Sequence, residues 1–311
     1  MPFSFPANEI SLLPPLKLDN LISTMGDWQL DNERTLRLLD DSKVVAWLTD
    51  DEQQPNEDFV LLAAACAEKG VNLQQAQWSD PQIRWRRFHS LLPLGISAQQ
   101  IRSSSFRHWV SERQAEQCEF IQPLPAINWN LDKGYLLEMQ EAGVDMAPLQ
   151  LRLAQSCSAG DWPVHCTLVG RPRWGWGGHE LELLQPGAWE APGQDMIVGE
   201  YQPQICRHGE ISVLMIAGQP CGQIRRLAAE REFRVGAQQG GSMEVEPLDL
   251  AAAEAAQHIW QQLPHHPIYG MIDLWDWHQP IQLAGIQLAH PDLCLRMFPQ
   301  AVTLLAAQLA G

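Results

Sequence analysis

Lys43–Thr49 (KVVAWLT) is the first run of apolar and β-branched residues along the chain, the pattern of a buried strand. A polar stretch, DDEQQPNED, separates it from Phe59–Lys69, whose composition predicts a helix, and Gly70 punctuates the pair. VNLQQAQW predicts a second strand, HSLLPLGI a third, and Ala98–Glu112 a helix after it. Strands alternating with helices at this spacing predict a small parallel α/β domain. Residues 1–42, rich in Pro, Asp and Asn and without a period, read as an N-terminal extension.

The character changes near Leu124–Asn130. Asp132–Ala142 predicts a short helix closed by Gly143, which suits the left-handed cap position. Val164–Val235 is strand-rich, broken by a glycine loop at 175–178 and by turns at Gly209 and Gly218. Pro247–Leu263 predicts an Ala-rich helix with proline in its first turn. Two strands then flank DWHQP, and Phe298–Ala310 closes the chain as an amphipathic helix. The fold class is α/β followed by α+β, with segments at 43–123, 124–195 and 196–311 after the 1–42 extension.

Charge narrows the function. Lys+Arg total 21 against Asp+Glu 37, a formal net charge of −16, which repels phosphate backbones and anionic lipid and argues against nucleic acid and membrane partners. No basic segment followed by an apolar one marks the N-terminus as a secretory signal. The 7 cysteines are dispersed and without a CxxC pair, so they read as reduced thiols in a cytoplasmic protein.

Three groups of residues offer chemistry. RPRWGWGG, Arg171–Gly178, places Gly175, Gly177 and Gly178 beside arginines, a composition that suits either an anion loop or an ordinary turn. In YGMIDLW, a strand puts Met271, Asp273 and Trp275 on one face, so Asp273 is either partnered in an apolar setting or on a wet face. If the next strand pairs with it, Gly285 and Gln287 lie alongside. The third group is Lys133, Glu210, Arg226 and Arg234, where the two arginines suit an anion or pairing with Glu230 and Glu232. The GxSxG, P-loop and HExxH signatures are absent, and His265-His266 has no ligand set of recognised spacing.

Taken in order, these pieces resemble the ATP-grasp superfamily, and within it the branch of the cycloserine-biosynthesis ligase and glutathione-synthetase-like proteins. NWNLDKGYLLEMQEAGVDMAP resembles "N … D-K-x-Y-L-L … L-x-x-A-G-V-x-x-x-P"; GRPRWGWGG stands where "K-P-x-x-G-x-G-G" is expected. MIVGEYQPQICRHGEISVLMIAGQ resembles the adenine hinge followed by "G-E-x-S", and EFRVGAQQGG resembles "F-R-V … G-G". YGMIDLW and QLAGIQLAHPDLCLR stand where "Y-x-R-V-D" and "E-L-E-L-I-E-P-S-L-F-L-R" are expected. The likeness runs from about Lys43 to the C-terminus.

The resemblance implies an ATP-grasp fold with a Rossmann-like N-terminal domain, and ATP held between two antiparallel sheets. It implies that Lys133, Arg171 and the glycines Gly175, Gly177 and Gly178 contact phosphates, that the segment with Met196, Val198, Glu200 and Tyr201 meets adenine, and that Glu210 lines the cleft. Arg234, with Arg226, would meet the γ-phosphate or a substrate carboxylate, and Asp273 with Gln287 would bind Mg²⁺. The activity implied is ATP-dependent ligation of a small carboxylate, amino-acid-like, to an amine or thiol through an acylphosphate. The sequence departs from the pattern at Gly285, Gln287 and His290, where carboxylates are expected, and at Met271, where an arginine is. These departures support an alternative: a catalytically degenerate subunit that binds nucleotide or a partner, as a homodimer or with a partner enzyme.

Overall fold

The computed structural model describes residues 43–50, 56–154, 166–174, 181–185 and 193–311, and the 1–42 extension lies outside them. The first apolar runs become parallel strands. β1 (Lys43–Thr49) pairs with β2 (Val71–Gln77) and β3 (Ser90–Gly95), and β3 with β4 (Glu119–Phe120), in the order β2-β1-β3-β4. α1 (Glu57–Ala67) begins where Asn56 accepts a hydrogen bond from Phe59 N at 2.8 Å, with Glu57 and Asp58 at the positive end of its dipole.

The helix expected over Ala98–Glu112 is two helices, α2 (Ala98–Arg102) and α3 (Ser104–Ala115). Ser103 breaks them apart: it is extended (ψ 147) and its hydroxyl caps Phe106 N at 3.1 Å, a local bond that competes with helix continuation. Where the character of the chain changes, α4 (Leu124–Leu131) forms, with Pro125 tolerated in its first turn. α5 (Tyr135–Glu141) starts three residues after Asp132, because Asp132 is extended and its carboxylate takes the Gly134 N–H at 2.8 Å. Gly143 closes that segment at φ +82, as its type requires.

Two antiparallel sheets follow. The smaller has the order β5-β8-β6-β7, from β5 (Leu149–Arg152), β6 (Leu168–Pro172), β7 (Glu182–Leu184) and β8 (Met196–Glu200). The larger has the order β11-β10-β9-β12-β13, from β9 (Glu210–Ile216), β10 (Gln219–Leu227), β11 (Ser242–Glu246), β12 (Tyr269–Trp275) and β13 (Gln282–Gln287). A one-turn helix, α6 (Ile205–His208), interrupts the strand-rich region. α7 (Leu250–Gln261) is capped by Asp249, which accepts from Ala252 N at 3.0 Å, so Pro247 precedes the cap rather than occupying the first turn.

Strand alternation gives the larger sheet two different faces. Ile211, Val213, Met215, Ile272 and Leu274 bury against Ala252, Ala256, Ile259 and Trp260 of α7 and Leu136 and Met139 of α5. On the other face Leu214, Ile216, Ile224 and Met271 join a core with α1 and with Leu305 and Leu309 of α8 (Pro299–Ala310). Each fully buried aliphatic side chain contributes roughly 1.5–3 kcal/mol. This second face is apolar only as far as Met271. Beyond it the same strands carry Ser212, Asp273, Arg226 and Glu210.

Candidate functional site

The register of four strands assembles the polar end of that face. Arg226 of β10 pairs with Glu210 of β9, Ser212 of β9 with Asp273 of β12, and Asp273 with Gly285 of β13. A register shift between Asp273 and Leu274 lies beside the site, as bulges often do. Asp273 is buried, 7% exposed, so its charge needs partners. It has three: the Ser212 hydroxyl donates at 2.5 Å, Arg226 Nη1 at 3.3 Å to the same oxygen, and Gln287 Nε2 at 2.7 Å to the other. The partnered reading of Asp273 is the one the structure adopts, and Gln287 and Gly285 do lie beside it.

Lys133 reaches the same place from the turn between α4 and α5. Its N–H donates to Arg173 O at 2.7 Å. Arg173 Nε and Nη2 grip Asp132 at 2.8 and 2.7 Å, fastening the turn to the end of β6. Burial opposes the Asp132 charge, but the Arg173 bonds and the Gly134 N–H outweigh it and hold its carboxyl below the usual range. Burial, and then the charge of Arg171, push the Lys133 ammonium down to about 8, while Asp273 pulls the other way. Lys133 Nζ stands 5.3 Å from the Tyr135 ring centroid.

Glu210 is pushed well up from an ordinary carboxylate, first by burial and then by the Asp273 charge, with Arg226 and Arg171 opposing. Burial likewise pushes the Tyr135 phenol up to about 12. These mutual fields show that Lys133, Arg171, Glu210, Arg226 and Asp273 occupy one neighbourhood, supplied by the α4–α5 turn and both antiparallel sheets.

The other expected residues fare differently. Met196 and Val198 are buried on β8, packed with Leu168 in a small core, while Glu200 is exposed. Tyr201 N donates to Thr167 O at 2.9 Å, and its hydroxyl lies 3.1 Å from Cys206 Sγ. Arg234 is engaged with Glu232, Nη2 to Oε2 at 2.7 Å, so the pairing alternative holds for it; Arg226 alone of the two meets Asp273. Gly175, Gly177 and Gly178 lie outside the described residues.

Sequence reasoning missed Arg173, Ser212, Asn130 and Tyr135 as site residues. All four stood inside the quoted motifs, the only signal that singled them out. Trp275 continues the face of Asp273 and lies against Trp277, ring centroids 5.6 Å apart.

The set does not fit a magnesium cage. Mg²⁺ wants near-octahedral oxygen ligation. Both Asp273 oxygens already accept hydrogen bonds, Gln287 turns its amide N–H toward Asp273, and Gly285 has no side chain. Among the described residues no three acidic, histidine or cysteine side chains gather to hold a metal.

A parallel α/β unit followed by two antiparallel sheets is the architecture of the ATP-grasp fold. Residues 45–121 match the family described as D-cycloserine synthetase DcsG, N-terminal domain, and residues 180–273 the prokaryotic glutathione synthetase ATP-grasp domain. The chain is therefore similar to the D-cycloserine synthetase and glutathione synthetase branch of the ATP-grasp superfamily. The cycloserine biosynthesis protein DcsG of Streptomyces lavendulae is 24% identical over 193 residues, 56% of this chain and 64% of that protein's length. The crystal structure of D-cycloserine synthetase DcsG superposes with a TM-score of 0.66 at 20% identity, covering 86% of this chain and 98% of that one. D-alanine–D-alanine ligase from Bacillus anthracis, complexed with ATP, gives 0.57 at 9% identity, covering 86% and 98%. A RimK-domain ATP-grasp protein from Sphaerobacter thermophilus gives 0.63 at 13%, covering 86% and 99%. Among the described residues no helix is long and apolar enough to cross a membrane.

Proposed function

We propose that the protein is an ATP-dependent ligase that activates a small, amino-acid-like carboxylate as an acylphosphate and passes the acyl group to an amine. One observation supports this best: Lys133, Arg171, Glu210, Arg226 and Asp273, far apart in sequence, share one partly buried neighbourhood. Lys133 and Arg171 take the phosphates, as cations with charge-assisted donors do. The segment from Met196 to Tyr201, β8 and the residue after it, meets the adenine. Glu210 lines the cleft. Arg226, rather than Arg234, faces the γ-phosphate or the substrate carboxylate, because Arg234 is tied to Glu232.

In the first step a carboxylate oxygen bonds to the γ-phosphorus as the bond to the bridging oxygen breaks and ADP departs. The amine nitrogen then bonds to the acyl carbon, the C–O bond to phosphate breaks, and the amine loses a proton. Protein groups act here by positioning and by stabilising charge.

A second reading, a nucleotide- or partner-binding subunit without turnover, is favoured by the hydrogen-bonded Asp273 and by Gly285 beside it. ADP release separates the two readings. The protein is incubated with ATP, an amino-acid panel, and Mg²⁺, Mn²⁺ or EDTA, with Asp273→Asn as control. A ligase releases ADP above the control with at least one substrate pair. ATP binding without such release assigns the second reading.

A further inference from the structure

We propose that a nucleoside triphosphate in this cleft is neutralised by side-chain cations, with Arg226 in the place of a divalent ion, so that binding is independent of divalent metal. The inference rests on the nucleotide reading of the site and deepens it.

The ligand supply argues first. A metal ion approaching Asp273 meets the Ser212 hydroxyl, the Arg226 guanidinium and the Gln287 amide, which take three of the roughly four acceptor sites of the carboxylate. Gly285, paired with Asp273 across the strands, contributes no ligand, and a Cβ there would stand a tight 3.3 Å from Asp273 Oδ2. Glu210, the other carboxylate on this face of the larger sheet, sits opposite Arg226 in the strand register and feels its charge.

The cation supply argues second. Ser212 is small enough for the Arg226 side chain to cross β9, setting Nη1 3.3 Å from Asp273 Oδ1 and Nη2 3.5 Å from Met271 Sδ. The guanidinium thus rests over the middle of β12, 12% exposed, with one donor on a carboxylate, one against a weak sulfur acceptor, and the rest of its fork free for phosphate oxygens. Lys133 and Arg171 lie close enough to feel each other's charge, and Lys133 also feels Arg102. Such a gathering of cations beside a neutralised carboxylate suits a polyphosphate and repels a metal ion.

Calorimetric titration of ATP into the full chain, once in EDTA and once in excess Mg²⁺, tests this. Dissociation constants agreeing within about threefold are expected, since a difference of tenfold marks about 1.4 kcal/mol. Arg226→Met should weaken binding in EDTA by about tenfold or more, the scale of a charged hydrogen bond. Gly285→Glu, which places a carboxylate beside Asp273, should make binding Mg²⁺-dependent. Wild-type binding that is tenfold tighter with Mg²⁺ overturns the inference and leaves the nucleotide reading standing. No binding in either buffer overturns both.

Discussion

Asn130 holds Leu288: its side-chain oxygen accepts the Leu288 N–H at 2.9 Å and that of Ala289 at 3.2 Å, while its amide donates to Ile286 O at 2.8 Å. Five residues on, the Tyr135 hydroxyl accepts from Ile286 N at 2.9 Å. The turn that carries Lys133 is therefore bolted on both sides to the strand that carries Gly285 and Gln287. Asn130 is 1% exposed, so water cannot replace it. Asn130→Ala should cost about 2–4 kcal/mol in chemical denaturation, because buried backbone groups lose their partners. A change below about 1 kcal/mol would show that the bolt carries no stability.

Gly209 turns at φ +67 between α6 and β9, and a Cβ there would collide with the Arg226 carbonyl. Gly209→Ala should lower stability by at least about 2 kcal/mol, combining backbone strain with the clash. It should also weaken ATP binding, since Glu210 and Arg226 shift with it. Melting curves and an ATP titration read both effects.

Arg173 and Asp132 are partly exposed, at 32% and 22%, so their pair contributes little to stability after solvent screening. Arg173→Ala should cost less than about 1 kcal/mol in denaturation yet weaken ATP binding by roughly tenfold, because the Lys133 turn loses its tie to β6. The sign for Asp132 follows from its lowered pKa. Its contribution is present above the unfolded value of 3.8 and is lost as pH falls through the folded one. The mutant should accordingly lose part of the wild type's acid sensitivity.

Lys133, held down to about 8 by burial and by Arg171, titrates below its unfolded value of 10.5. A depressed cation contributes stability above the unfolded value and loses it as pH falls through the folded one, so at pH 7 the charge is a burden. Lys133→Met should raise Tm at pH 7 by roughly 2–4 °C while weakening ATP binding. A polyphosphate restores the ammonium, so ATP binding near pH 8.5 should take up a proton, seen by calorimetry in buffers of different ionisation enthalpy. Proton release instead would refute this role for Lys133.

Much of the fold was legible because local patterns carry it. The apolar run YGMIDLW is a strand whose alternation puts Met271, Asp273 and Trp275 on one face, and the neighbouring register duly sets Gly285 beside Asp273. Gly143, Gly209 and Gly218 marked places where φ is positive. Boundaries failed where a side chain competed with the helix, as Ser103 does at the break between α2 and α3 and Asp132 before α5. The site was legible only as a roll of charged residues. Their spacing left Arg226 and Arg234 equivalent, and only the fold parted them.

By itself the sequence determined the order of elements, the turns and the face on which each strand residue lies, because periodicity and backbone preference act over a few residues. Tertiary structure decided which charges meet: Arg226 with Asp273 across β9, Arg173 with Asp132, Asn130 with the end of β13. Those choices depend on distances between segments far apart in sequence, 158 residues for Asn130 and Leu288, and burial alone makes the resulting fields strong enough to move Lys133 and Glu210.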